Sequence, residues 1–466
     1  MYGGVGGRIN FALVLGLGLF IAITPARAAD LGGDCCADLE ERIAELEATT
    51  ARKGNRKVSL EVSGHVNEAV LWWDDGAESN AYVVTNDNSR TRFRFKGKAK
   101  IDKDLEAGYQ IEIGVRAASS KRFTQNNDEG NDTATDVGFD VRDSYWFIKS
   151  KTYGAISVGR QATATDAITE INLTQTADFA KYSDVEDTGL GLLLRSKTNG
   201  LLTTGTGAAG LTWRRLIGDG GDQPGEGERR FDAVKYVSPE FAGFTASASW
   251  GEDDFWDIAL RYAGEHGGFK ISAGFGYGEL TDGPETQTSC SASTGTAAAN
   301  NLNQKCSQYG GSISVLHQES DLFVNFGAGE KTDDLLGLTA VGAAGADDGQ
   351  TFWSVQAGIE KKFTEHGKTT VYGEYYDYEG GGNSRRTLVV GDSLNPFAAT
   401  AQVWSTGVQV YGAGIAQGFD KAALTVYLSY RHVEGELELR NETTGALADS
   451  PLEDLDLVMS GAIIKF

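Results

Sequence analysis

Residues 89–100 read SRTRFRFKGKAK. Phe93, Phe95, Gly97 and Ala99 alternate with Arg92, Arg94, Lys96, Lys98 and Lys100. A period of two sends successive side chains to opposite faces of a strand. Five like charges on one face repel one another, so that face cannot be buried dry and needs water or counter-charge beside it. A soluble sheet with a solvated basic face satisfies the pattern. So does a strand standing between lipid and a water-filled lumen, with the five cations as a ladder lining a pore.

The neighbouring chain decides between the two. From Val58 onward the same period recurs: Val58, Leu60, Val62, Gly64 and Val66; Tyr109, Ile111, Ile113 and Val115; Phe269, Ile271, Ala273, Phe275 and Tyr277; Leu424, Val426, Leu428 and Tyr430. The alternate positions carry Arg, Lys, Glu, Gln, Ser and Gly. Sixteen strands are expected, starting near 58, 90, 106, 139, 155, 229, 243, 255, 268, 309, 321, 351, 368, 402, 421 and 453. Seven connections are tight, and those between them are long and rich in Gly, Asp, Asn, Ser or Thr, with Glu252–Asp254 the short exception. Strict alternation of short and long connections belongs to outer-membrane barrels, with short periplasmic turns and long outer loops. An even count with both chain ends on one side lets the sheet close, leaving no unpaired edge in lipid. Aromatics such as Trp72, Tyr145, Phe244, Phe269 and Phe419 gather at strand ends, where amphipathic rings sit at headgroup level. The expected fold class is all-β: a 16-stranded antiparallel transmembrane β-barrel over residues 57–466, with a lumen too wide for side chains to fill.

Composition agrees. The chain has 466 residues, 61 of them Gly and only 6 Pro, and 42 Lys+Arg stand against 65 Asp+Glu for a net charge of −23. Such an acidic surface argues against a nucleic-acid partner, which requires cations to displace counterions from phosphates. No segment supplies the roughly 20 apolar residues of a membrane-spanning helix. Arg8, the apolar run Ile9–Ile23 and the small residues of Ala26-Arg27-Ala28 have the parts of a secretory signal peptide, residues 1–28. Without the leader's two arginines the balance becomes −25. Residues 29–56 form a periplasmic segment in which DLEERIAELEATTAR, 38–52, is the one convincing helix, capped by Asp38 with Glu41 and stopped by Gly54. So short a helix is marginal alone, so it packs on something, associates with its own copies, or frays. Cys290 and Cys306 flank one long loop and are a disulfide candidate; the adjacent Cys35 and Cys36 are left as free thiols or as links to another chain.

The longest connection, residues 162–228, is expected to fold into the lumen as a constriction loop, since a long structureless loop is usually functional. It brings Asp166, Glu170, Asp178, Asp184, Glu186 and Asp187 against the basic ladder. Charge of one sign facing the other sets up a transverse field that orients dipolar solutes. Strict alternation sends Arg160 outward with Ile156 and Val158 unless a kink at the strand's end turns it. The five histidines form no Ser/His/Asp arrangement, GDGGDQPGEG is turn-rich loop rather than a phosphate loop, and neither a metal site nor a cofactor site is indicated. The expected protein is no enzyme but an outer-membrane channel for passive diffusion of small hydrophilic solutes and ions, in contact with outer-membrane lipid. The alternative is a ligand-specific channel or a surface adhesin or receptor barrel. The −25 balance favours a weak preference for cations.

FDVRDSYWFIKSKTYGAISVGRQ (139–161), RRFDAVKYVSPEFAGFTASASWGEDDFWDIALRYAGEHGGFK (229–270), DCCADLEERIAELEATTARKGNRKVSL (34–60) and the terminal Phe466 together resemble the porins of the alphaproteobacteria, an outer-membrane general-diffusion family. The resemblance spans essentially the whole mature chain. It implies a homotrimer of sixteen-stranded barrels with the third outer loop folded into each pore, and gives Arg160 the place of the arginine that precedes that loop. It also makes Gly461, Ile464 and Phe466 of the closing MSGAIIKF the signal for barrel insertion, although Met459 departs from the usual polar residue at its position.

Overall fold

A computed structural model describes residues 57–128, 130, 138–204, 210–217, 223–226, 230–251, 255–283, 304–333, 348–381 and 387–466. The leader, the 38–52 helix, Cys35, Cys36 and Cys290 lie outside the described residues. Cys306 is disulfide-bonded.

The alternating sequence folds into strands β1 (Glu61–Asp74), β2 (Ser79–Thr85), β3 (Arg92–Lys100), β4 (Leu105–Arg116), β5 (Gly138–Ser150), β6 (Gly154–Gln161), β7 (Phe231–Val237), β8 (Phe244–Gly251), β9 (Trp256–His266) and β10 (Phe269–Gly283). These are followed by β11 (Gln304–His317), β12 (Leu322–Asp333), β13 (Gly349–Thr364), β14 (Gly367–Gly380), β15 (Thr387–Leu388), β16 (Ala401–Phe419), β17 (Leu424–Asn441), β18 (Leu447–Asp449) and β19 (Leu455–Lys465). All pair antiparallel in one sheet. β2 and β3 both pair with β1 and form one interrupted stave, while β15 and β18 are short flanking pieces, so among the described residues sixteen staves close the barrel. Closure is made by β1 on β19, from His65↔Lys465 to Asp74↔Asp456. Phe466 extends it: its amide donates to the Gly64 carbonyl at 3.0 Å and its carbonyl accepts from the Gly64 amide at 2.9 Å.

Strand starts agree with the sequence reading to within a few residues, except that β2 occupies chain read as loop. Asn86-Asp87-Asn88 divides that stave: a one-turn 3-10 helix over Asp87–Ser89, capped by the Asn86 side chain, interrupts the ladder between β2 and β3.

The outer face is apolar. Val62, Val66 and Val70 on β1, Ile258 and Leu260 on β9, Val324 and Phe326 on β12, and Val426 and Leu428 on β17 are all exposed. A continuous exposed belt of this size is stable only against hydrocarbon. The inner face departs from the expectation of a polar lining on one side. Val408 and Val410 of β16, Val433, Leu437 and Leu439 of β17, and Leu455, Leu457 and Met459 of β19 point inward and are buried. They pack with Phe179, Val185, Leu190, Leu192, Trp213 and Leu216 from the 162–230 connection in one hydrophobic core. Each such side chain contributes about 1.5–3 kcal/mol of gross burial energy. That half of the barrel interior is therefore dry.

Candidate functional site: the constriction

β6 and β7 hold only 8 and 7 residues, against 14 to 19 in β13, β14, β16 and β17. The chain between them therefore leaves the wall part-way along the barrel and enters the lumen. It is then bonded to one wall strand after another. The Ala164 and Thr165 amides donate to Asp257 (3.1 and 2.7 Å), and the Ile171 and Leu173 amides donate to the hydroxyls of Ser312 and Ser314 (3.0 Å each). The Gln175 amide donates to Glu360 at 2.7 Å, and Asn67 on β1 donates to the Asp178 carbonyl at 3.2 Å. Bare wall positions make room for the loop backbone: a Cβ on Gly327 would lie 2.4 Å from the Thr169 carbonyl oxygen.

A clamp holds the far turn of the loop. Arg431, 2% exposed, donates to Glu374 Oε1 (2.7 Å), to the Lys181 carbonyl (2.7 Å) and to the Val185 carbonyl (3.2 Å). Gln356 bridges the Ala180 carbonyl and Glu374 Oε2, both at 3.0 Å.

On the side of β3 to β7 the described residues leave a cavity of about 440 Å³. Its basic wall is held on carboxylates, of which Glu112 and Asp143 are buried. Glu112 of β4 accepts from Arg92 Nη1 (3.3 Å), Arg142 Nε (2.8 Å) and Arg94 Nε (2.8 Å). Arg90 pairs with Asp140 at 2.9 Å; Arg230 pairs with Asp143 at 3.0 Å and Asp166 at 3.1 Å. Arg142 reaches the lumen through a bulge: Glu112 faces Asp143 and Ile113 faces Val141, leaving Arg142 as the extra residue. Arg160 also borders the cavity. The residue before it, Gly159, has φ 129°, and the Arg160 Nε donates to the Val141 carbonyl at 3.2 Å.

Of the six loop acids singled out from the sequence, Asp166, Glu170, Asp184 and Asp187 border this cavity. Lys181 pairs with Glu170 (2.7 Å) and Asp184 (2.9 Å), and Lys121 with Asp187 (2.8 Å). Burial, and next the neighbouring Asp184, hold the Glu170 carboxyl well above the usual range, against the pull of Lys181. Asp178 instead pairs with Lys465 at 2.6 Å, and Glu186 is buried beside Tyr376. Of the ladder, Arg92 borders the cavity and Arg94 joins it through Glu112, while Lys96, Lys98 and Lys100 continue on the same face toward the 101–104 turn, exposed. Gly461 lies under Tyr427 and beside Ala69, with no space for a Cβ.

Arg90, Glu112, Arg142, Lys181 and Arg230 were not singled out from the sequence as site residues. The bulge hides Arg142 from an alternation count, and Glu112 reads as one polar position among many. Glu226, a later acid of the same loop, follows from the argument that brings the loop's carboxylates into the lumen; it borders the cavity and accepts from the Thr169 amide at 3.0 Å.

A closed barrel with a lipid-facing exterior and a charged constriction at the edge of an inserted loop defines an outer-membrane diffusion channel. The chain belongs to the Gram-negative porin family, whose model matches residues 24–391. The fold is similar to that of an anion-selective porin from Comamonas acidovorans, at 15% identity over 88% of this chain and 100% of that one, with a TM-score of 0.52. The outer membrane channel DcaP of Acinetobacter baumannii aligns at 11% identity over 90% and 100%, with a TM-score of 0.49. No curated protein matches the chain. The protein resides in the outer membrane.

Proposed function

We propose that small hydrophilic solutes and ions cross by diffusion through the cavity between the Glu112-centred arginine wall and the acids of the 162–230 loop. The observation that carries this reading is the facing of Arg90, Arg92, Arg142 and Arg230 by Asp166, Glu170, Asp184 and Asp187 around one cavity of about 440 Å³. The transverse field aligns dipolar solutes and slows apolar ones, which must displace ordered water. Because cations and carboxylates nearly balance at this point, charge selectivity is weak, and the −25 balance of the mature chain inclines it toward cations. The motifs at 139–161 and 229–270 support a place among the alphaproteobacterial porins and a homotrimeric assembly, to which the 38–52 helix contributes.

The test is reconstitution of the full chain in a planar bilayer. Stepwise conductance in groups of three, with a small reversal potential of cation sign under a KCl gradient, is expected. An impermeable protein overturns the reading, and a reversal potential of anion sign overturns the stated preference. Deleting residues 38–52 is expected to lower the temperature at which trimers dissociate while leaving the barrel folded.

A further inference from the structure

The wall arginines are grouped around one carboxylate. The Glu112 side chain is fully buried, 0% exposed, while those of Arg92 and Arg142 are 16% and 19% exposed and that of Arg94 is 40% exposed. Arg92 contacts one Glu112 oxygen through Nη1, Arg142 contacts the same oxygen through Nε, and Arg94 places both Nε and Nη2 on the other. Three guanidinium charges therefore share a single negative charge that solvent ions cannot reach. Water screens the exposed ends of the arginines but not the group beneath them.

From this geometry we infer that Glu112 is a specificity-determining residue of the channel: as the sequestered counter-charge of Arg92, Arg94 and Arg142, it sets the net charge that permeating ions meet. This deepens the diffusion-channel reading and rests on it. Arg90 on Asp140 and Arg230 on Asp143 and Asp166 have carboxylates of their own, and Arg160 donates to the Val141 carbonyl, so the three-to-one group is the place where several wall arginines depend on one carboxylate. Removing the Glu112 charge leaves three cations together. Anions are then drawn to the constriction and cations repelled. Removing one arginine has the opposite effect.

The experiment compares wild type, Glu112→Gln, Arg94→Gln and the double variant by reversal potential under a tenfold KCl gradient. Glu112→Gln is expected to lower the potassium-to-chloride permeability ratio about fourfold, the size expected for one unit charge about 10 Å from the ions' path in water. Arg94→Gln is expected to raise the ratio, and the double variant to return it toward wild type. A merely structural Glu112 predicts no such restoration, since the double variant loses still more of the network; a ratio unchanged in Glu112→Gln, or unrestored in the double variant, overturns the inference. Should Glu112→Gln fail to fold, the inference stands or falls on whether Arg94→Gln raises the ratio. A wild-type protein that does not conduct defeats the underlying channel reading instead, so the two failures are told apart.

Discussion

Gly461 illustrates how one position in the last strand can govern barrel closure. A Cβ there would lie 2.5 Å from Tyr427 Oη, 2.6 Å from Ala69 Cβ and 2.7 Å from the Glu68 carbonyl oxygen. The phenol could swing away, but the β1 backbone cannot. Gly461→Val is expected to cost about 1–3 kcal/mol, the usual price of overpacking, seen as a lower temperature for conversion of the compact barrel on a gel. Asp75, just beyond β1, is a second informative residue. Burial pushes its carboxyl up, but hydrogen bonds from Arg195, Gln125 and the Glu78 amide outweigh burial and hold it below its ordinary 3.8. A depressed folded-state value adds stability above the unfolded value, and that stability is lost as pH falls through the lower one. The tie from the β1–β2 hairpin tip to Arg195 is therefore expected to protect the tip amides from hydrogen exchange at pH 6. That protection should decline only below about pH 4, and in Asp75→Asn it should already be absent at pH 6. At this scale the sequence was only partly legible. The alternation of residues 92–100 placed Arg92 and Arg94 on one face, but a bulge at Arg142 breaks the count on β5, and nothing in the local pattern marks Glu112 as their common partner.

Among the elements, the long connection was the most legible by length and the least by detail. Its expected span, 162–228, falls two residues short of the observed interval between β6 and β7. Its acids divide between the cavity, a contact with Lys465 and the interior, because the loop is anchored by its backbone amides and carbonyls, which carry no sequence signature. The Arg431–Glu374 pair is the central anchor. Arg431→Met alone strands a buried carboxylate and is expected to lower stability by about 3–5 kcal/mol, whereas Arg431→Met with Glu374→Leu should recover most of it. Both variants lose the bonds to the Lys181 and Val185 carbonyls. Both should therefore show larger and noisier single-channel currents than wild type, and unchanged currents would mean that the clamp does not hold the constriction.

For the whole molecule, sixteen staves, their order and the alternation of turns and loops followed from periodicity, because lipid and water impose opposite demands on the two faces of each strand. The dry half of the lumen did not, since β16, β17 and β19 are apolar inside as well as outside and only the loop that covers them explains why. The water path is thereby displaced toward β3–β7. Cysteine labelling with a charged thiol reagent from the aqueous phase checks this: Arg142→Cys is expected to react and to block current, while Val408→Cys, 1% exposed in the native side chain, stays unmodified. Equal reactivity at both positions would place water throughout the lumen.

The encirclement of the interior by residues 164–188, from Asp257 on β9 to Asn67 on β1, also constrains biogenesis. A cylinder sealed first would leave its strap to thread into a finished tube and expel water from a greasy seam. If the strap settles first, each arriving stave finds its partner amides already waiting. Sealing β19 onto β1 then becomes the last stitch of a garment sewn around its own lining.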